Sequence, residues 1–261
     1  MPTVGGYPGV KPIKRRNILI TGASSGLGEG MARLFAAEGR NLALCARRID
    51  RLDALAAELR AQYPRITVKV YELDVNDHDA VFRVFQAADA ELGGLDRVIA
   101  NAGLGKGQPI GTGKFAVNKQ TAETNFIALL AQCEAAMEIF RERNAGHLVV
   151  VASISAVRGA AGNVTAYAAS KAGAAHLGEG IRLSVADTPI RVTTLLPGYI
   201  ESEMTARVGK TPLQVEAAVG HRAMVDAIEA EPAEAMVPRW PWEVLGRALK
   251  VAPDAVLRRF S

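Results

Sequence analysis

Short apolar runs alternate with longer amphipathic stretches over most of the chain. The apolar runs predict buried strands at Asn17–Gly22, Asn41–Arg48, Ile66–Val75, Leu95–Gly103, His147–Ser153 and Ile190–Gly198. The amphipathic stretches between them are long enough for helices that return the chain to its starting edge. This alternation predicts an α/β domain with a parallel sheet wound on both faces, and it places ligands at the carboxyl ends of the strands.

A glycine-rich turn follows the first predicted strand and opens an amphipathic helix. The turn reads TGASSGLG at 21–28 and carries Gly22, Gly26 and Gly28. Glycines let the backbone turn tightly and approach a pyrophosphate, while the N-terminus of a helix presents free N–H groups and a positive dipole end. A strand, a glycine turn and a helix in this order predict a phosphate-binding site.

Two arginines end the second predicted strand, and the first of them indicates which dinucleotide binds. An acidic side chain at this point would hydrogen-bond the ribose of NAD, whereas an arginine accommodates a 2′-phosphate. Arg47 therefore predicts NADP(H). The alternative is that Arg47 and Arg48 are two solvated side chains at a strand end.

Tyr167 and Lys171 are the main candidates for chemistry. One helical turn separates them, so they share a face of the helix that follows the fifth predicted strand. An ammonium beside a phenol stabilises the phenolate and lowers the pKa of the phenol, which predicts a general acid/base. On its own, such a pair is more often an ordinary surface pair. Ser153 ends the fifth strand and falls at the same edge of the sheet.

Composition and charge narrow the classes of protein. The 261 residues, of which 49% are hydrophobic, are enough for one large domain. We expect a flexible tail at 1–16, a cofactor-binding and catalytic core at 17–204, and a substrate lid with a C-terminal helical segment at 205–261. The formal charge of +4 permits an anionic ligand without requiring nucleic acid, so we expect no nucleic-acid partner.

The sequence also indicates where the protein resides in the cell and whether it binds a metal. Cys45 and Cys133 lie in apolar segments, which predicts buried free thiols and a reducing compartment. The sequence has neither a secretory signal nor an apolar run of about 18 residues, so we expect a cytoplasmic protein. The histidines show no ligand spacing, and we expect no metal site.

Together these motifs resemble the short-chain dehydrogenase/reductase family from about residue 17 to residue 204. The matching motifs are TGASSGLG at 21–28, Asp74 and Val75, NAG at 101–103, Asn125, the serine after the fifth strand, YAASK at 167–171 and PGYIES at 197–202. Several independent motifs in the right order are hard to obtain by chance. The resemblance implies a Rossmann-type fold and an NADP(H)-dependent enzyme that acts on CH–OH groups.

The resemblance also implies a role for each catalytic residue. Tyr167 would exchange a proton with the substrate oxygen, and Lys171 would bind the nicotinamide ribose and lower the pKa of the tyrosine. Asn125 would hold a water that connects Lys171 to solvent, and Ser153 would hydrogen-bond the substrate oxygen. Ser155 remains an alternative to Ser153, because the interval from Ser153 to Tyr167 is one residue longer than in the family; the position at the strand end favours Ser153.

The implied cofactor contacts follow the same edge of the sheet. They are Gly22, Ser24, Gly26, Leu27 and Gly28 for the phosphates, Arg47 for the 2′-phosphate, Asp74 and Val75 for the adenine, Asn101, Ala102 and Gly103 for the central ribose region, Tyr167 and Lys171 for the nicotinamide ribose, and Pro197, Gly198, Ile200 and Ser202 around the carboxamide.

The segment after Met204 departs from the common pattern of the family. Residues 211–231 predict one or two helices that could cover the site, and the end of the chain lacks the glycine-rich closing strand of the family's ketoacyl reductases. A basic amphipathic helix follows, which fits weak contact with a membrane surface or a hydrophobic substrate entrance. Its apolar and basic residues are Trp242, Leu245, Leu249, Arg247 and Lys250. The alternative is a helix packed on its own domain or on a second subunit.

We therefore expect an NADP(H)-dependent oxidoreductase that interconverts a carbonyl and an alcohol, with an apolar, lipid-like or steroid-like small-molecule substrate. A 3-oxoacyl reductase is the alternative within this chemistry, and an NADP-binding sensor or scaffold is the alternative outside it. A sensor would not need Asn125, Ser153, Tyr167 and Lys171 together, and the chain carries all four. The resemblance further implies a homodimer or homotetramer.

Overall fold

The computed structural model describes residues 15–205 and 213–253. Most of the predicted N-terminal tail, part of the predicted lid and the last residues of the chain therefore lie outside the described residues. Within the described ranges the chain forms a seven-stranded sheet in which every pair of neighbouring strands is parallel. The strand order is β3-β2-β1-β4-β5-β6-β7. The strands are β1 Asn17–Thr21, β2 Asn41–Ala46, β3 Val68–Glu72, β4 Arg97–Ala100, β5 His147–Val151, β6 Arg191–Pro197 and β7 Glu234–Val237.

Helices cover both faces of this sheet. They are α1 Gly26–Ala37, α2 Ile49–Gln62, α3 His78–Leu92, α4 Phe115–Ala122, α5 Ala128–Arg143, α6 Thr165–Ser184, α7 Ala217–Ala230 and α8 Arg239–Val251. One core cluster joins the sheet to α1, α2 and α7, and a second joins it to α3, α5 and α6. The doubly wound, Rossmann-type architecture expected from the sequence is confirmed.

The inner strands are largely apolar because each side of the sheet packs against helices. In β1, for example, Ile18 and Ile20 enter one core cluster and Leu19 enters the other, all fully buried. Successive strand residues point to opposite faces, so a sheet covered on both sides needs a continuous apolar run rather than an alternating one. This is why the short apolar runs located the first six strands.

The seventh strand was not predicted. Residues Glu234–Val237 pair with β6, with Leu195 opposite Ala235 and Leu196 opposite Met236. The segment is only four residues long, begins with an exposed glutamate and lies between two prolines, so its own sequence carries little strand signal. Pairing with the edge of β6 and packing against α7 and α8 stabilise this strand, although its local sequence has little strand propensity.

A π-helical turn interrupts the helical segment between β4 and β5. This turn spans Glu123–Ile127, joins α4 to α5 and contains Asn125. A π-turn inserts one extra residue into the helix and is frequent at functional sites. The hydrophobic pattern did not reveal it.

A buried network of ion pairs lies at the amino edge of the sheet. Arg97 on β4 is fully buried, and its guanidinium pairs with Glu229 at the end of α7 and, at 3.2 Å, with Glu231 just beyond it. Arg15 donates two hydrogen bonds to Glu231, at 2.8 and 3.1 Å. Arg97 Nε also donates to His147 Nδ1 at 2.9 Å. Because the ring is buried, the pKa of His147 lies well below its usual range, and the imidazole is neutral.

Candidate active site

A cleft of about 420 Å³ opens at the carboxyl edge of the sheet. The predicted site residues line it, apart from Gly28 and Asn125, which lie behind its wall. They come from the ends of β1 to β6 and from α6, as expected for a parallel sheet whose connections all leave from one edge. The sequence therefore located the cleft and most of the residues that face it.

The catalytic candidates come together at one end of the cleft. Tyr167 and Lys171 lie on the same face of α6, and the hydroxyl of Ser153 lies beside that of Tyr167, where it acts to lower the pKa of the phenol. Lys171 is buried, and its ammonium donates to the carbonyl of Val151 at 2.9 Å. Ser153 also accepts a hydrogen bond from the backbone N–H of Ser155, at 3.1 Å. Of the two candidate serines, Ser153 is the one whose hydroxyl meets the tyrosine.

The ionisation of this pair differs from the simple expectation. Burial raises the pKa of Tyr167, and the hydrogen bond with Ser153 only partly offsets that rise. The ammonium of Lys171 is directed to the carbonyl of Val151, and burial lowers the pKa of this lysine to about 8. Desolvation of the phenol is the largest cause of this shift, and the lowering of the tyrosine pKa by Lys171 stays a prediction.

Asn125 supports the wall behind the lysine. Its side-chain oxygen accepts from the N–H of Leu104 at 2.7 Å, and its amide donates to the carbonyl of Leu104 at 2.9 Å and to Ser170 Oγ at 3.2 Å. A Cβ at Gly103 would lie 3.2 Å from Asn125 Oδ1 and 3.4 Å from Lys171 Nζ. The π-turn thus holds Asn125 close to Lys171, with the backbone of Gly103 between them.

The glycine turn has the backbone that a phosphate site requires. Gly22 and Gly26 have φ values of +67° and +56°, which residues with a Cβ rarely adopt. A Cβ at Gly28 would overlap the carbonyl oxygen of Gly22, so this glycine lets α1 pack against the turn. Ser25 is the N-cap residue of α1, but its side chain makes no capping hydrogen bond to the helix. The first N–H groups of that helix remain available to a ligand.

Arg48 reaches further into the cleft than the sequence indicated. It donates from Nε to Ser24 Oγ at 3.1 Å and from Nη2 to Ser25 Oγ at 2.5 Å. Arg47 lies beside it with 61% of its side chain exposed, and its guanidinium is 3.9 Å from the carboxylate of Asp74. Both arginines line the cleft. The sequence placed Arg48 at the strand end but gave no means of distinguishing its role from that of Arg47.

Comparison with known proteins agrees with this geometry. A family model for the short chain dehydrogenases matches residues 16–213, well over half of the chain. The chain belongs to the short-chain dehydrogenase family. It is accordingly an oxidoreductase.

Relatives and solved structures extend over nearly the whole enzyme. An uncharacterised oxidoreductase of Mycobacterium tuberculosis is 56% identical over 249 residues, which cover 95% of this chain and 98% of the relative. An uncharacterised oxidoreductase of Myxococcus xanthus is 38% identical, covering 94% and 97%. A short-chain dehydrogenase from Sphingobium yanoikuyae, solved in complex with NADPH, is 25% identical with a TM-score of 0.79, covering 94% and 96%.

The other end of this short-chain dehydrogenase's cleft is apolar, and sequence reasoning missed most of its residues. The side chains around it are Leu104, Ile154, Val164, Tyr199 and Met204. A Cβ at Gly105 would lie 2.7 Å from the sulfur of Met204, so the loop after β6 closes directly against the loop after β4. Leu104, Ile154, Val164 and Met204 lie outside the motifs recognised in the sequence, whereas Tyr199 falls within PGYIES at 197–202.

The C-terminal helix of the enzyme supports this loop from behind. A Cβ at Gly198 would overlap the indole of Trp242, and the rings of Trp242 and Tyr199 meet edge-on with centroids 5.5 Å apart. Trp242 is 95% buried, whereas Trp240 is 73% exposed. Of the alternatives for this helix, the structure has it packed on its own domain. In the ranges that the structure describes, no helix is long and apolar enough to cross a membrane.

Metal binding and disulfide bonding find no support among the described residues of the enzyme. They contain no group of three or more His, Cys, Asp or Glu side chains that could hold a metal ion. Cys45 and Cys133 are buried and free, as expected, and burial raises the pKa of Cys133 to about 12. Neither thiol lines the cleft.

Proposed function

We propose that this short-chain dehydrogenase interconverts a carbonyl and an alcohol with NADP(H), and that its substrate is apolar. The observation that carries the proposal is the tyrosine that lines the cleft. Tyr167 lies beside Ser153, on the helix face that carries the buried Lys171. The same cleft continues to the glycine turn and to Arg47 and Arg48.

The cleft fits a dinucleotide that bears a 2′-phosphate. Free N–H groups at the start of α1 and the glycine backbone at Gly22 suit a pyrophosphate. Arg47 and Arg48 would meet the 2′-phosphate, because a guanidinium is the group that binds phosphate oxygens in pairs. The NADPH complex of the Sphingobium relative supports this choice. Apart from Gly28, the remaining contacts proposed from the sequence line the same cleft, and the nicotinamide, when bound, supplies or accepts the hydride.

The chain itself would supply the proton and the polarising hydrogen bond. The raised pKa of Tyr167 keeps the phenol protonated at neutral pH, which is the form that can give a proton to a carbonyl oxygen during reduction. Ser153 would donate a hydrogen bond to the same oxygen. Lys171, with a pKa of about 8, would remain largely an ammonium and bind ribose hydroxyls. Asn125 would keep Lys171 in place from the π-turn, and a water held there would connect it to solvent.

The substrate end of the cleft suits an apolar molecule. Leu104, Ile154, Val164 and Met204 offer no charge to a substrate, and the ring of Tyr199 adds a further apolar wall. A lipid-like or steroid-like ketone or alcohol fits this lining, because apolar surface gains from burial in proportion to its area. The apolar lining is the observation that favours such compounds over a 3-oxoacyl thioester.

An apolar groove on the outside of the helices supports self-association. It has a volume of about 580 Å³ and lies between α4 and α6. Phe115 is 75% exposed there, and Ile127 and Leu130 are exposed on the continuing helix. We propose a homodimer or homotetramer that covers this face.

A cytoplasmic location stays a prediction. Contact of α8 with a membrane surface also stays a prediction, and the exposed side chain of Trp240 is the observation behind it.

Titration and turnover together test the proposal. Purified enzyme would be titrated with NADPH and with NADH, and then supplied with ketones and alcohols of increasing chain length. We expect tight binding of NADPH, weaker binding of NADH, and turnover that rises with apolar length. Tight binding without turnover on any compound would favour a sensor or scaffold, and turnover confined to acyl thioesters would favour a 3-oxoacyl reductase.

A further inference from the structure

A carboxylate from the loop after β6 pairs with two arginines near the glycine turn: Arg48, which lines the cleft, and Arg51, which lies outside its lining. Glu203 accepts hydrogen bonds from Arg48 Nη1 at 3.2 Å and from Arg51 Nη1 at 2.6 Å. Arg48 is the residue immediately before α2, and Arg51 lies in the first turn of that helix. Glu203 therefore links the substrate side of the enzyme to its cofactor side.

The same loop lies across the mouth of the glycine turn. A Cβ at Gly26 would lie 3.5 Å from Cβ of Ser202, so the loop and the turn approach to van der Waals distance. The other nitrogens of Arg48 bind Ser24 and Ser25 on the turn itself. Arg48 thus joins the loop to the turn, and Glu203 uses the one guanidinium nitrogen of Arg48 that does not face those serines.

The contacts of Glu203 can be exchanged for those of a ligand. Its side chain is 52% exposed, and those of Arg48 and Arg51 are 41% and 47% exposed. Exposed ion pairs contribute little to folding and are screened by salt. A phosphate monoester carries more negative charge than a carboxylate and has three acceptor oxygens, so it competes well for the same guanidinium groups.

We propose that Glu203 competes with the 2′-phosphate of a cofactor for Arg48 and Arg51, so that a cofactor carrying this phosphate displaces it. The displacement frees Glu203 and its neighbours at 201–205 from the arginines. NAD(H) has no group at this position and leaves Glu203 on its arginines. The inference rests on the proposed function in assuming that the cleft binds the adenosine part of a dinucleotide.

Fragments of the cofactor test this without turnover. Wild type and Glu203→Gln would be titrated calorimetrically with adenosine 2′,5′-bisphosphate and with 5′-AMP. Glutamine keeps the size of the side chain and removes its charge, so the bisphosphate should bind about fivefold more tightly to the variant, a modest gain of the size that exposed charges give. Binding of 5′-AMP should change by less than about twofold.

A matched control variant separates this effect from a general change in charge. Glu58 on α2 is also 52% exposed and pairs with Arg33 outside the cleft. Glu58→Gln should leave the affinities for both fragments as in wild type. An equal gain in Glu58→Gln and Glu203→Gln would overturn the inference, and so would a Glu203→Gln variant that binds the bisphosphate with unchanged or weaker affinity.

The pattern of affinities separates a failure of this inference from a failure of the proposed function. If wild type prefers the bisphosphate and Glu203→Gln does not change that preference, the role of Glu203 is refuted and the NADP(H) proposal stands. If wild type does not distinguish the fragments but Glu203→Gln does, the NADP(H) proposal fails while Glu203 keeps its role. If neither protein distinguishes them, both are refuted.

Release of the loop has its own readout. The N–H of Ser202 donates to Thr205 Oγ1 at 2.9 Å, and that of Glu201 donates to Val215 O at 3.0 Å. Hydrogen exchange at these amides should become faster in wild type when adenosine 2′,5′-bisphosphate binds, and should not change with 5′-AMP. Equal exchange with both fragments would show that Glu203 does not hold the loop.

Discussion

Arginine–glutamate ion pairs occur at both edges of the sheet, but the pairs at the two edges differ in exposure. At the amino edge, Arg97 is fully buried between Glu229 and Glu231. At the carboxyl edge, Arg48 also pairs with a glutamate, Glu203, but each side chain is about half exposed. The residue types are the same, and the difference is the access of water.

Burial decides whether such a pair can be exchanged. Removing one partner of a buried pair leaves a charge without water or counter-charge, which typically costs about 3–5 kcal/mol. An exposed partner is rehydrated at once, so a ligand can replace it at little cost. The amino edge therefore holds the fold together, and the carboxyl edge stays adjustable for cofactor and substrate. Variants at the two edges should consequently affect different measurements.

The largest effect should come from the carboxyl edge, with no loss of stability. Tyr167→Phe removes the proton that the phenol exchanges, so the turnover rate should fall by about 10²–10⁴-fold. NADPH binding, followed by fluorescence titration, should stay near that of wild type, as should the midpoint of urea unfolding. A variant with a near-normal rate would contradict the assignment of Tyr167 as the acid/base.

The amino edge should show the reverse pattern. Arg97→Met leaves Glu229 and Glu231 with fewer buried partners, so the free energy of unfolding should decrease by about 3–5 kcal/mol. The activity per folded molecule should not change, since Arg97 lies far from the cleft. The measurement is urea unfolding followed by circular dichroism.

Arg33→Met provides the matched control for this prediction. Arg33 also pairs with two glutamates, but its side chain is 40% exposed. Its loss should shift the unfolding midpoint much less than the loss of Arg97. If Arg97→Met does not accumulate, Glu229→Gln gives a smaller perturbation of the same network, and comparable stability of all three variants would refute the difference between the edges.

A smaller effect is expected for Arg47. Arg47→Ala removes a charged hydrogen-bond donor from the proposed 2′-phosphate site, so NADPH should bind about tenfold more weakly. NADH lacks the phosphate, and its affinity should change by less than about twofold. Calorimetric titration of the two cofactors measures both values. An equal loss of affinity for NADPH and NADH would show that the 2′-phosphate does not bind at Arg47.

The smallest effect is the pH dependence of stability that comes from His147 and His221. Burial lowers the pKa of His147 and of His221, whose ring packs against Gly30, below the ordinary histidine value of about 6.5. As pH falls below that value, the unfolded chain binds protons that the folded chain does not, so stability decreases. From about pH 7.5 to about pH 6, the free energy of unfolding should fall by about 1 kcal/mol.

Urea unfolding at the two pH values measures this change. His221→Gln should show a shallower decrease than wild type, because one of the two groups no longer titrates. Stability that rises towards about pH 6 would have the wrong sign for a lowered histidine pKa.

The sequence predicted those parts of the enzyme that depend on local order. The apolar run at Asn17–Gly22 located β1, because a buried parallel strand needs no alternation. The spacing of Tyr167 and Lys171 put both on one face of a helix, and α6 has them there. The ends of the strands located the cleft, because a parallel sheet brings them to one edge.

What the sequence missed depends on contacts between distant segments. Glu203 is separated by about 150 residues from the arginines that bind it, and nothing near it indicates them. The strand Glu234–Val237 is defined by the edge of β6, not by its own composition. The raised pKa of Tyr167 follows from burial in the assembled cleft, which a spacing of four residues does not reveal.

The network at the amino edge also affects when the chain can complete its fold during synthesis on the ribosome. Arg97 and His147 are synthesised well before Glu229 and Glu231, yet the folded chain buries them together. Until the glutamates emerge, a nascent sheet that buried Arg97 would carry an uncompensated charge. The edge of β6 likewise waits for residues 234–237. We expect the chain to complete its fold only near the end of synthesis, so that premature termination yields a product for the quality-control proteases.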